Sequence, residues 1–195
     1  MRQSAGLAVL TGLLAGWTTL GAAEAPWIGF QAGGAVPVEN KLRTTAGAGF
    51  QGGIHLDWNL DSTHALRPRV DFMGFGARKQ AVTTPFIQQI DTKVQAMSLG
   101  VELLFRHDGP RGKWAMGPGI YAIRWSVKST NQLEVPGAGV ARLSGTSHWT
   151  RAGLGFAVTR RFRPGLELEA RWIASHYGYE DLQARVGTVG IIWTF

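Results

Sequence analysis

Five histidines, His55, His64, His107, His148 and His176, are the residues of this chain best suited to moving a proton near neutral pH. His55 and Asp57 are two positions apart, so on an extended strand both side chains point the same way, as a general-base pair requires. A structural contact inside the fold is the reading favoured for that pair. Ser147-His148 and Ser175-His176 are the Ser–His neighbours from which a nucleophile could be raised. Adjacent strand residues face opposite ways, so neither pair is preformed for attack. Ser175-His176-Tyr177-Gly178-Tyr179-Glu180-Asp181 is still the densest polar cluster. His64 and His107 fall in turn sequences and are expected to be solvated. The absence of cysteine excludes a cysteine nucleophile, a thiolate metal site and a disulfide framework. Gly117-Pro118-Gly119 lies in a strand pattern and is not a phosphate loop. No catalytic, cofactor-binding or metal-ligating set is expected.

The more regular chemistry is electrostatic. Charges recur at every second position in Arg67, Arg69 and Asp71, and again in Glu167, Glu169 and Arg171. Glu102, Arg124 and Arg151 sit on the polar side of other alternating stretches. Such spacing aims charges at one face of a strand, and it asks which strands carry them.

The chain has 195 residues, 27 glycines and a formal net charge of +7. Hydrophobic residues make up 45 % and charged residues 17 %, too apolar and too weakly charged for disorder. The glycines follow no G-x-y period, which excludes collagen. Residues 1–23 combine Arg2, a short apolar stretch from Leu7 to Leu20 and small closing residues, the pattern of a cleaved secretory signal peptide. The expected mature domain is 24–195.

That domain alternates with a period of two. Eight stretches read as strands: 27–36, 45–60, 66–77, 95–106, 114–128, 150–160, 166–176 and 184–195. Each opposes an apolar face to a small or polar one. In 114–128, Tyr121, Ile123, Trp125 and Val127 are taken as the apolar outer face, against Arg124, Ser126 and Lys128. Connections alternate in length. Residues 61–65, 107–113 and 161–165 are short turns, and 37–44, 78–94, 129–149 and 177–183 are read as loops of the other side. An even number of strands, about 9–11 residues or more each, with short turns on one side and longer loops on the other, fits an all-β, eight-stranded, antiparallel up-and-down transmembrane barrel. Trp27, Trp58, Phe105, Trp114, Phe162, Trp193 and Phe195 fall at the short-turn side, where amphipathic rings suit a membrane interface. A closed barrel can span a bilayer without an unpaired edge.

In that arrangement the polar faces line a narrow interior. Arg67, Arg69, Asp71, Glu102, Arg124, Arg151, Glu167, Glu169 and Arg171, with Asp57, are expected to form a luminal charge network, and inward glycines leave room for it. A wide pore is not expected, since porins need about 16–18 strands.

The ending Thr188-Val189-Gly190-Ile191-Ile192-Trp193-Thr194-Phe195 resembles the C-terminal assembly signal of outer-membrane barrels, with Thr188, Gly190, Trp193 and Phe195 at its defining positions. With the leader and eight strands, the chain resembles the small OmpA-, OmpX- and opacity-protein-like barrels. The resemblance implies the cell outer membrane as location and the barrel assembly machinery as a partner of the last strand. A monomer and a non-enzymatic structural or surface role are expected. Lys41, Arg43, Arg78, Lys79, Lys93, Lys128 and Arg142 would face lipopolysaccharide phosphates. Basic residues spread over two rims do not make a nucleic-acid face. Two alternatives stay open: a lipid A-modifying enzyme with a site near Ser175 and His176, and a narrow conduit for small solutes. Against the enzyme, the chain lacks the His-x-Ser of the deacylase type, and 37–44 lacks the loop histidine of the palmitoyltransferase type.

Overall fold

The computed structural model describes residues 26–82, 87–109, 112–135, 139–178 and 182–195. The expected signal peptide at 1–23 lies outside them. The elements are β1 (Trp27–Pro37), α1 (Asn40–Thr45), β2 (Ala46–Asn59), β3 (His64–Val82), β4 (Ile87–Gly109), β5 (Gly112–Val135), β6 (Gly139–Arg163), β7 (Leu166–Tyr177) and β8 (Leu182–Thr194). Each strand pairs antiparallel with its sequence neighbour, and β8 returns to β1 to close the barrel. The seam runs from Gly29↔Thr194 to Pro37↔Val186.

Alternation dictates which side chains face out. Ile28, Phe30, Phe50, Ile54, Leu99, Ile120, Leu154, Phe156, Val189 and Ile191 stand exposed around the outside. Their strand neighbours, among them Gln31, Gln51, Asp71, Ser98, Glu102 and Glu169, are buried. The polarity is that of a barrel with an apolar belt. At the lower edge of the belt, Trp27, Phe105, Phe162, Trp193 and Phe195 remain exposed. Arg160 lies there over the rings of Trp114 (5.0 Å) and Phe162 (5.4 Å), an arrangement that anchors a cation beside an aromatic girdle.

The short turns have local causes. Gly165 takes a positive φ of 74° in the β6–β7 turn, where a side chain would be strained. In the β2–β3 turn the Asp61 carboxylate accepts the Thr63 N–H (2.6 Å), the Thr63 hydroxyl (2.8 Å) and the His64 N–H (2.7 Å). These donors hold the Asp61 carboxyl below the usual carboxylate range. Pro68 and Pro118 each interrupt a ladder on one side: β2–β3 skips from His55↔Arg69 to Trp58↔Leu66, and β4–β5 skips from Glu102↔Gly119 to Phe105↔Met116.

Three expectations need correction on the long side. Residues 78–94 and 129–149 are mostly strand rather than loop. β3, β4, β5 and β6 run on as a four-stranded extension, with pairs from Arg78↔Thr92 to Val82↔Gln88 and from Ser129↔Gly145 to Val135↔Gly139. Polar, β-competent residues on both faces hide such strands from a search for alternation. The connection 37–44 contains the helical turn α1, whose Leu42 is fully buried. On β5 the faces are reversed: Tyr121, Ile123 and Trp125 point inward and are buried, while Arg124 is exposed on the outside.

Candidate functional site

The lumen has two contrasting levels. The lower one is ionic. Arg67 and Arg69 of β3, Asp71 of β3, Glu102 of β4, and Glu167, Glu169 and Arg171 of β7 reach into it because each occupies an inward phase of its strand. Asp57 of β2 joins them. All eight are at most 4 % exposed.

The Arg67 guanidinium grips Asp57 with two bonds, Nε to Oδ1 at 2.5 Å and Nη2 to Oδ2 at 2.9 Å. It also donates to Glu167 and Glu169, both at 3.2 Å. Arg69 holds Asp71 (2.9 Å), Glu102 (3.0 Å) and Glu169 (2.9 Å) at once. Arg171 donates to Asp71 at 2.8 Å and to the Gln51 carbonyl oxygen at 3.0 Å, and its Nη1 lies 3.6 Å from Glu102. Gln31 gives its amide N–H to Glu169 (2.6 Å) and accepts from Arg69. Bidentate geometry on planar guanidinium groups is what makes such a buried cluster tolerable. Several carboxylates share one cation, so removing any member strands the rest.

Tyr121 seals the level from above. Its hydroxyl donates to Glu102 Oε1 at 2.5 Å. The ring occupies space that only glycine leaves, since a Cβ on Gly100 would come within 2.2 Å of it. Arg171 sits 5.8 Å from the ring centroid.

Above Tyr121 the lumen becomes apolar. Met73, Phe75, Val94, Ala96, Ile123, Trp125, Ile173, Tyr177, Ala184 and Val186 pack into one cluster, and Leu42 of α1 closes it. Phe75 stacks on Trp125 at 6.3 Å, and Trp125 meets Tyr177 at 6.0 Å. Tyr177 then donates to the Lys41 carbonyl (3.4 Å), tying β7 to the helical turn.

Of the nine charged residues expected in the network, seven meet there: Arg67, Arg69, Asp71, Glu102, Glu167, Glu169 and Arg171. Arg124 does not, because β5 is turned over at that level. Arg151 faces inward but stands higher, with its guanidinium near the Gly178 carbonyl (3.4 Å). Arg161, expected in a turn, instead donates to Glu167 at 2.9 and 2.7 Å from the lower mouth. Gln31, Gln51 and Tyr121 are further members that the sequence reading does not place in the network. All three alternate in phase with inward glycines, and that phase is the available signal.

The candidate catalytic groups do not assemble. Asp57 gives both oxygens to Arg67, and neither ring nitrogen of the buried His55 finds a partner among the described residues. Ser175 is 5 % exposed and its hydroxyl donates to the Ala152 carbonyl (2.9 Å), while His176 faces the outside. Glu180 and Asp181 of that cluster lie outside the described residues. At the C-terminus, Thr188 and Gly190 face inward, Trp193 and Phe195 face outward, and the Phe195 N–H donates to the Ile28 carbonyl (2.9 Å), extending the seam.

No family model and no curated protein sequence matches the chain. Solved structures do resemble it. Neisserial surface protein A is 18 % identical with a TM-score of 0.51, and the match covers 89 % of this chain and 99 % of that one. A major outer membrane protein from Thermus thermophilus is 13 % identical with a TM-score of 0.55, covering 88 % and 100 %. Ail, the attachment invasion locus protein of Yersinia pestis, is 12 % identical with a TM-score of 0.48, covering 87 % and 97 %. At such identities the likeness is one of architecture. The chain has the fold of the small eight-stranded outer-membrane barrels.

Proposed function

We propose that this protein is a cell outer-membrane barrel with a non-enzymatic role in envelope structure and surface interaction. The observation that carries this reading is the reversal of polarity: exposed apolar side chains outside, and a filled lumen inside. From Phe105 to Met97 on β4 the belt runs eight residues, roughly 27 Å along the strand at about 3.4 Å each. At a strand tilt of about 40° that is near 20 Å of height, close to the ~25 Å band of such barrels. The leader at 1–23 would deliver the chain. The terminal strand, with Thr188, Gly190, Trp193 and Phe195, would engage the barrel assembly machinery.

The filled lumen favours work done by surfaces over passage of solute. Above the belt, Arg124, Lys93, Lys128 and His148 are exposed on the outer face of β4–β6. Lys93 and Lys128 stand directly opposite each other across the ladder. Like charges so placed repel, and an external anion relieves the cost. Lipopolysaccharide phosphates are the anions that this location supplies. The opposed facings of Ser175 and His176 speak against lipid A chemistry.

The test is fractionation of cells expressing the full chain, with lipid A mass spectrometry in parallel. The expected result is a heat-modifiable band in the outer-membrane fraction and an unchanged acyl pattern. A soluble protein, or an altered acyl pattern, would overturn the reading.

A further inference from the structure

One outer wall of the barrel is shallowly furrowed. Two furrows, of about 410 and 490 Å³, lie on the outside of β6, β7, β8 and β1 and share Trp172 as a lining residue. The lower furrow exists because outward positions there are small: Gly34 on β1, Ala170 on β7 and Gly187 on β8. Phe156, Val36 and Val189 flank it, all exposed. Ladder partners fix this arrangement, with Trp172 opposite both Phe156 and Gly187, and Gly187 opposite Val36. The upper furrow continues past Ala174 and ends in polar groups, His176, Gln183 and Arg185.

It opens where β6 and β7 part. Gly153↔Ser175 is their last pair, and above it β6 is paired only with β5 among the described residues. Arg185 is half-exposed at 47 % and donates to Gln183 Oε1 (3.1 Å), with its Nε 3.6 Å from the Glu39 carboxylate. Lys41 and Arg43, exposed on α1, lie two and four residues beyond Glu39. Among the described residues, Arg185, Lys41 and Arg43 stand against Glu39 at this end.

The dimensions suit one molecule. Ala170 to His176 is six residues, about 20 Å of strand. At a tilt of about 40° this descends roughly 15 Å, a little over half of the ~25 Å apolar band of such barrels and so about the depth of one leaflet. The apolar end lies at mid-depth, and the polar end, with Arg185, at the long-hairpin side.

We infer that this furrow is a specific, non-catalytic binding site for a phosphorylated lipid of the outer leaflet, lipid A. One acyl chain lies over Ala170, Gly187 and Gly34, and a phosphate meets Arg185. The proposal rests on the outer-membrane reading above. It names a site distinct from the Lys93–Lys128 patch, which lies on other strands and offers charge without a groove. Among the described residues, the furrow combines shape, depth and a cationic side chain.

The experiment is native mass spectrometry of the full barrel purified from the outer membrane, incubated with hexa-acylated lipid A, with phosphatidylglycerol or with phosphatidylcholine. Wild type is expected to retain one lipid A. The double variant Ala170→Leu/Gly187→Leu fills the groove, and a Cβ on Gly187 makes only an ordinary 3.6 Å contact with Val38. It should lower retention about tenfold or more, and Arg185→Gln about tenfold. Ala122→Leu, outward on β5, should leave it unchanged, and a heat-modifiable band verifies folding of each variant. Equal retention by the filled variant, or equal retention of phosphatidylglycerol, would overturn the proposal. A wild type that fractionates with the outer membrane but holds no lipid A defeats this site alone. A wild type absent from that fraction defeats the reading beneath it.

Discussion

The two halves of the lumen solve one problem by different physics. Below Tyr121, charges from β2, β3, β4 and β7 converge, and Arg67, Arg69 and Arg171 hold five carboxylates, Asp57 and Asp71 by bidentate pairs. Above it, the same backbone geometry encloses Phe75, Ile123, Val94 and Leu42, which need only to be excluded from water. The lower half is costly to break at one member, because each removal leaves a buried charge without its partner. The upper half loses contact area in proportion to what is cut. Filling a narrow barrel therefore does not dictate the polarity of the filling, while the surround does dictate the polarity of the outside.

The ionic side should respond most strongly to a single change. Arg69→Met should lower the unfolding free energy by about 3–5 kcal/mol, because Asp71, Glu102 and Glu169 lose a common cation. Urea titration of the folded, heat-modifiable band measures it. A shift below about 1 kcal/mol would mean the network is cosmetic. Next comes the apolar side: Ile123→Ala should cost about 2–5 kcal/mol by the same assay, with no dependence on salt. A salt-dependent loss there would blur the division between halves. Tyr121→Phe, at the boundary, removes one hydrogen bond to a charged acceptor and should cost about 1.5–3 kcal/mol. Arg124→Met separates sequence expectation from structure. It removes an arginine of the same barrel, yet should move the stability by no more than about 0.5 kcal/mol, since the side chain is outside.

The weakest response concerns pH at the β2–β3 turn. Asp61 has its carboxyl held below the usual range by Thr63 and His64. Its contribution is present above the unfolded value of about 3.9 and is lost as pH falls through the lower folded value. Asp61→Asn should therefore be slightly less stable at neutral pH, with the gap from wild type narrowing below about pH 4. A gap that widens on acidification would contradict the turn geometry.

Strand number, pairing order, closure and the aromatic lower girdle are legible in the sequence, because alternation is a strict consequence of strand geometry once one face meets an apolar surround. Seven network residues are legible for the same reason. Arg124 is not. The rule of apolar outside and polar inside fails on the upper part of β5, where the lumen is itself apolar and the outer face has left the belt. Carrying the phase upward from Gly117 and Gly119, both inward, puts Tyr121, Ile123 and Trp125 inside. The long hairpins stay hidden because neither face of 78–94 or 129–149 is uniformly buried. Arg161 reads as a turn residue because Pro164-Gly165 announces a turn nearby, yet β6 keeps its register with β7 down to Arg161↔Glu167 and shifts only below that pair.

If both halves fill the lumen, as the proposed surface role requires, the barrel passes no ions. Planar-bilayer recording decides this, using wild type, Arg69→Met and Ile123→Ala at high protein load in molar salt. No stepwise conductance is expected from wild type or from either single variant, since each leaves one half intact. Reproducible unitary steps from the wild-type barrel would contradict a filled lumen.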